Sequence, residues 1–308
     1  MIELRSGSLR AVVLPAAGGG LARLDWRRDA GRARGVPGPA ATAAGGWLPL
    51  MRPAPAGVAQ PLPGQLACFP LVPWSNRIAP GGFEFEGRRV TPSPTRAGEP
   101  CPIHGDGWRL PWQVEARDEA GVVLSLYRRD GEPFAFTAHM AYALSGNALR
   151  VTLKVTNNGS RALPFGLGLH PWLPHPEDAR LRAKADGVWL SGADKLPASR
   201  STALPAGWDF SPGASVQAAT GVDNAFTGWD GCAEIDWPSR ALRLRISADM
   251  ACYILYVPPG KDFFCFEPVD HPINAHNLPG GAAANGLTVL APGQDLWRTV
   301  TFAVEDLA

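Results

Sequence analysis

Apolar and polar positions alternate over short runs along this chain, and almost no run is long enough for a helix. Leu21 to Trp26 alternates in this way, the pattern of a strand with one buried face. The same reading predicts strands at Ile2–Arg5 and Leu9–Leu14, joined by a Ser6-Gly7 turn, and a hairpin over Phe83–Val90. Strands then follow at regular spacing: Trp112–Ala116, Val122–Arg128, Phe134–Leu144 and Ala148–Thr156, with a turn at Asn157-Asn158-Gly159. Ala233–Trp237, Ala241–Ser247, Cys252–Val257, Leu287–Leu290 and Trp297–Glu305 continue the series. Regular strands separated by turn residues point to an antiparallel sandwich, not to a parallel α/β sheet. Residues 29–46 are Ala, Gly, Arg and Pro without periodicity, which reads as a surface loop without chemistry.

Two stretches stand apart. Phe263-Phe264-Cys265-Phe266-Glu267-Pro268 is an apolar strand that delivers one carboxylate. If it is extended, Phe264 and Phe266 share the core face, while Phe263 and Cys265 share the face of Glu267 and shape a floor there. Pro268 cannot donate to a ladder and marks the expected strand end, leaving Glu267 at the rim. Leu163-Pro164-Phe165-Gly166-Leu167-Gly168-Leu169-His170 places four apolar side chains on one face. On the other, Gly166 and Gly168 clear space beside His170, as a ligand-facing histidine would need.

Composition narrows the class. The 308 residues include 35 Gly and 31 Pro, too many breaks for long helices, and 11 Trp and 12 Phe, enough for a large core in one domain spanning 1–308. A formal net charge of +1 without a basic run gives no footprint for nucleic acid or an anionic membrane. Five scattered cysteines, without C-x-x-C spacing, read as reduced and mostly buried thiols. The N-terminus lacks a signal-peptide pattern and no apolar span is of membrane length, so a cytoplasmic location is expected.

No G-x-S-x-G, Gly-rich phosphate loop or dinucleotide fingerprint occurs, and His170/His175 and His271/His276 lack the i, i+4 spacing of a zinc helix. Neither a metal nor a cofactor is expected. What remains is Glu267, several histidines, Asp223 and the Asn76-Arg77 pair, with Trp74, Trp108, Trp112 and Trp172 close to them in sequence. Aromatic faces, hydroxyl-binding polar groups and an acid with a base suit a sugar.

Pro73-Trp74-Ser75-Asn76-Arg77-Ile78, Ile103-His104-Gly105-Asp106-Gly107, Leu169-His170-Pro171-Trp172, Val222-Asp223-Asn224-Ala225-Phe226 and Phe266-Glu267-Pro268 together resemble the aldose 1-epimerase (galactose mutarotase) family, in that family's order. The resemblance implies an all-β fold, a large antiparallel β-supersandwich of the galactose mutarotase type with few short helices. It also implies cofactor-free interconversion of the anomers of a free aldose. Glu267 matches the base that deprotonates the anomeric hydroxyl and His170 the acid that protonates the ring oxygen. His104 matches a group hydrogen-bonding near that oxygen, while Asp223 and Arg77 match groups that hold hydroxyls. Asn76, Trp108, Trp172 and His271 complete the expected substrate-binding set. The run Gly-Leu-His-Pro-Trp at His170 replaces the Asn-His-Thr type found in many galactose-acting members, which bears on the choice of sugar. Two alternatives share the fold: a hexose-6-phosphate mutarotase, needing a cationic cluster that Arg77 and Arg109 could begin, and a carbohydrate-binding protein without turnover. The sequence does not set the oligomeric state.

Overall fold

The computed structural model of the chain describes residues 1–28, 46–58, 61–130 and 133–307. Most of the segment 29–46 therefore lies outside the described residues. Two large sheets, of eleven and nine strands, carry the fold, with two small two-stranded sheets beside them. Helical structure among the described residues is limited to Gly281–Ala284 and four 3-10 turns. The expected antiparallel supersandwich is what the chain forms.

The sandwich follows from period-two burial. Phe136–Ser145 and Ala148–Asn157 pair along their full ten-residue lengths, and Phe136, Ala138, Met140, Tyr142 and Leu144 are all buried on one side. That side meets Leu173, Tyr253, Phe264 and Phe266 of the eleven-stranded sheet in one continuous core. Burial on this scale removes far more apolar surface from water than any single polar contact contributes, so it fixes which face of each strand points inward.

The inward choice sets the outward one. Strands Cys68–Leu71, Gly168–Pro174, Phe263–Val269, Cys252–Tyr256 and Asp223–Thr227 lie side by side in the eleven-stranded sheet. Because Phe264, Phe266, Leu169 and Leu173 enter the core, His170, Trp172, Cys265 and Glu267 must face away from the second sheet. Gly168 pairs with Val269 and Trp172 with Cys265, a register that sets His170 opposite Glu267. A second apolar cluster, including Phe69, Ile103, Trp108 and Ile254, packs on this outer face.

Three expectations need correction. Pro268 does not end its strand, which runs on to Val269 with Pro268 opposite Tyr253. Glu267 is therefore in mid-sheet and only 2% exposed, not at a rim. The run from Leu163 to His170 is not one strand: Leu163–Phe165 joins Thr288–Leu290 in a small sheet, and a new strand begins at Gly168. The glycines also clear space for protein, not for a ligand. A Cβ at Gly166 would lie 2.2 Å from the His271 ring, and one at Gly168 would lie 2.8 Å from Val269 and 2.9 Å from the Pro268 carbonyl.

Candidate functional site

A cavity of about 550 Å3 opens over the outer face of the five strands. His170 and Glu267 share its floor, with His170 Nε2 3.2 Å from Glu267 Oε1. The second carboxylate oxygen, Oε2, is buried without a hydrogen-bond partner, and so is His170 Nδ1. Phe69, opposite His170 in the neighbouring strand, stacks on the imidazole at 4.5 Å between centroids. Trp172 stacks on it at 5.2 Å. The Arg52 guanidinium lies 4.0 Å from the Trp172 ring centroid and donates to the Gly64 carbonyl at 2.7 Å, tying the Leu62–Gln65 rim to this wall.

Electrostatics favours the uncharged form of both floor groups. Burial pushes the Glu267 carboxyl well above its usual range, and the Asp223 charge adds to this while Arg77 opposes it. Burial holds His170 down to about 3, with the Arg52 charge acting in the same direction. An imidazole and a carboxyl 3.2 Å apart thus share a single proton, and the empty pair is neutral.

His104 arrives on a backbone that few residues adopt, at φ +61°, followed by Gly105 at φ +64°. The turn packs so closely that a Cβ on Gly105 would lie 2.2 Å from the Val72 carbonyl oxygen. The Asn76 backbone N–H donates to His104 Nδ1 at 3.0 Å. A backbone N–H can only donate, so Nδ1 is the acceptor and the neutral ring carries its proton on Nε2. Burial, reinforced by His170, Arg77 and Arg96, keeps this ring neutral. Asn76, itself at φ +52°, accepts from the Arg77 backbone N–H through Oδ1 at 2.9 Å. Arg77 also faces Glu99 at 3.3 Å. Asp223 also lines the cavity, its carboxyl raised by burial against the pull of Arg77 and Lys195.

Eight of the nine residues expected at the site therefore converge on one cavity: Glu267, His170, His104, Arg77, Asp223, Asn76, Trp172 and Trp108. His271 does not. It is fully buried past the ends of the floor strands, beside Gly166, where its Nε2 accepts from the Ser75 N–H at 3.1 Å and its Nδ1 donates to the Pro272 carbonyl at 2.9 Å. Its partner in spacing, His276, is buried against Phe83, away from the surface. Trp74 and Trp112 belong to the core. Arg109 forms an ion pair with Asp106 at 2.7 Å and lines a different groove, so the Arg77–Arg109 cluster does not form. Arg96 and Lys195 line the cavity instead, as do Tyr256 and Phe69. Phe69 was detectable by its parity with Leu71 in an extended run, whereas Arg96 and Lys195 sit on loops that no periodicity places.

His271 gives a stability prediction. Its folded-state pKa, about 4, lies below the unfolded value of 6.5, so the unfolded chain takes up a proton that the folded chain refuses. The stability tied to this ring is complete above about 6.5 and is lost as pH falls towards 4, an effect on the order of 3 kcal/mol. His271→Ala leaves the Ser75 N–H unpaired and a cavity beside Gly166; urea unfolding at neutral pH is expected to show a loss of about 2–4 kcal/mol. The acid-side slope of stability should become shallower in the variant. A neutral-pH loss under 1 kcal/mol would contradict the structural role.

The sequence profile of the family described as Aldose 1-epimerase matches residues 51–302. The uncharacterised protein YphB of Escherichia coli K12 is 33% identical over 267 residues, which cover 83% of this chain and 89% of YphB. A crystal structure of a putative aldose 1-epimerase from Escherichia coli K12 superimposes with a TM-score of 0.85 at 31% identity, covering 99% of this chain and 98% of the other. The GalM/aldose epimerase homologue of Caenorhabditis elegans shares the fold, with a TM-score of 0.80 at 18% identity over 100% of this chain and 99% of its own.

Proposed function

Since the chain belongs to the aldose 1-epimerase family, we propose that it interconverts the α and β anomers of an aldose by acid–base ring opening over Glu267 and His170. The observation that carries this reading is the 3.2 Å contact between the two groups on the floor of a sugar-sized cavity.

The reaction needs the pair to hold one proton. With a ring-form sugar bound, the proton sits on His170 and Glu267 is the carboxylate. Glu267 takes the proton from the anomeric hydroxyl as the C1–O5 bond breaks, and His170 gives its proton to O5. The sugar becomes the open aldehyde, with Glu267 protonated and His170 neutral. That is the state in which the empty pair rests, so ring opening discharges the pair into its preferred form. Rotation about C1–C2 presents the other aldehyde face, and the reverse transfers close the ring. His104 Nε2–H donates to sugar oxygen beside His170, while Arg77 and Asp223 hold hydroxyls on the far side.

Polarimetry on freshly dissolved galactose, glucose, arabinose and xylose tests the proposal. Acceleration above the buffer rate with at least one of them is expected, and none with any would refute it. The pH profile follows from the shared proton. A second proton stops the reaction only below about 3, where His170 titrates, and loss of the last proton stops it only above the raised pKa of Glu267. The rate should therefore stay level from just above 3 and fall only past the raised pKa of Glu267. An acid limb centred near 6.5, the value of a free imidazole, would contradict this arrangement.

A further inference from the structure

We infer that His170, Cys265 and Glu267 form a binding site for a soft or borderline divalent cation of the zinc class, whose occupancy excludes the sugar. Cys265 and Glu267 are two residues apart on the outer face of one strand, and His170 lies opposite Glu267 on the next. One donor atom from each lies within 4.8 Å of the other two, and all three residues are buried. Zinc at its usual distances, about 2.3 Å to sulfur and about 2.0–2.2 Å to nitrogen and oxygen, sets its ligand atoms about 3.2–3.8 Å apart. The His170–Glu267 separation of 3.2 Å already meets that requirement.

Donor capacity is free at the cluster. Glu267 Oε2 and His170 Nδ1 are buried with no hydrogen-bond partner, so ligation displaces only the His170–Glu267 contact itself. Thiolate, imidazole and carboxylate together select zinc, cobalt or copper over magnesium or calcium, which prefer all-oxygen shells. M2+ with thiol, carboxyl and neutral imidazole gives the neutral three-ligand complex and two released protons. Affinity therefore rises with pH. Arg52 and Arg77 oppose the metal, Asp223 favours it, and His104 and Cys68 flank the site without charge. His170 and Glu267 line the cavity floor and are the groups proposed to meet the sugar's reacting oxygens, so an ion held by them and a sugar compete.

Chelator-treated full-length protein titrated with Co2+ at about pH 8 tests this without reference to turnover. The expected result is one equivalent bound, with a thiolate-to-cobalt charge-transfer band in the near ultraviolet. That band should disappear in Cys265→Ser and persist in Cys232→Ala, which removes the exposed thiol. Zinc affinity by calorimetry should fall at least ~100-fold in Cys265→Ser. Circular dichroism establishes that the variant is folded, and Glu267→Gln, which retains the thiol, should weaken zinc binding in the same assay. No band in the wild type, or a band unchanged in Cys265→Ser, overturns the inference. Because the readout is spectroscopic, its failure is distinct from a failure to find anomerisation.

Discussion

Glu267→Gln should lower the enzymatic anomerisation rate by about 10^2–10^4-fold while leaving sugar affinity within a few-fold. The amide has nearly the same shape and still reaches His170, but it cannot take up the proton of the anomeric hydroxyl. The substitution should also leave the fold at least as stable as the wild type. Glu267 binds its proton more tightly folded than unfolded, so its contribution to stability falls as pH rises past the ordinary carboxylate value of 4.5. At neutral pH the folded chain holds this carboxyl uncharged against its tendency to ionise in solution, a linkage cost that the amide does not carry. A rise in melting temperature with loss of rate would mark the residue as kept for chemistry and not for packing. Retained rate would exclude Glu267 as the base.

Gly105→Ala acts on the same chemistry from the backbone side. At φ +64° an alanine costs on the order of 1 kcal/mol before any contact is counted. Its Cβ would then lie 2.2 Å from the Val72 carbonyl oxygen and 2.5–2.6 Å from Pro73 ring atoms, so the turn must move. His104 moves with it and loses its alignment to the Asn76 N–H. A stability loss of at least ~2 kcal/mol by urea unfolding is expected, together with at least a ~10-fold fall in kcat/KM among the molecules that remain folded. Wild-type kinetics in a folded variant would show that His104 need not be held where the turn places it.

Much of this architecture is written in the sequence as alternation. Phe264 and Phe266 declare a core face, and with them the side on which Cys265 and Glu267 must appear. What alternation cannot report is a strand's neighbours, so Glu267 reads as a rim residue when it lies between two paired strands. Pro268 misleads for the same reason, since its missing N–H matters only where a partner carbonyl would need it. Gly166 and Gly168 do mark a close approach, but sequence cannot say of what: the His271 ring occupies the first and the adjacent strand the second. His271 looked like a cavity residue from its nearness to Glu267 in sequence. The chain turns after Val269, where the Leu167 backbone N–H donates to Asp270 Oδ2 at 2.8 Å, and carries the ring against Gly166, past the strand ends. Strands Arg180–Ala183, Gly187–Ser191 and Pro197–Ser201 are absent from the sequence reading: the first alternates cleanly but over only four residues, and the other two show no alternating burial.

Anomerisation here rests on Glu267 taking a proton from one oxygen on C1 of a bound aldose while His170 gives one to the other. Saturation transfer by NMR measures it most directly: irradiating the α-anomer H1 of an aldose at equilibrium and following the β-anomer H1 reads the enzyme-driven exchange itself. The account predicts transfer that scales with wild-type enzyme concentration and vanishes with Glu267→Gln at concentrations where that variant still binds the sugar. Transfer undiminished in Glu267→Gln, or absent with the wild type for an aldose it demonstrably binds, would contradict it.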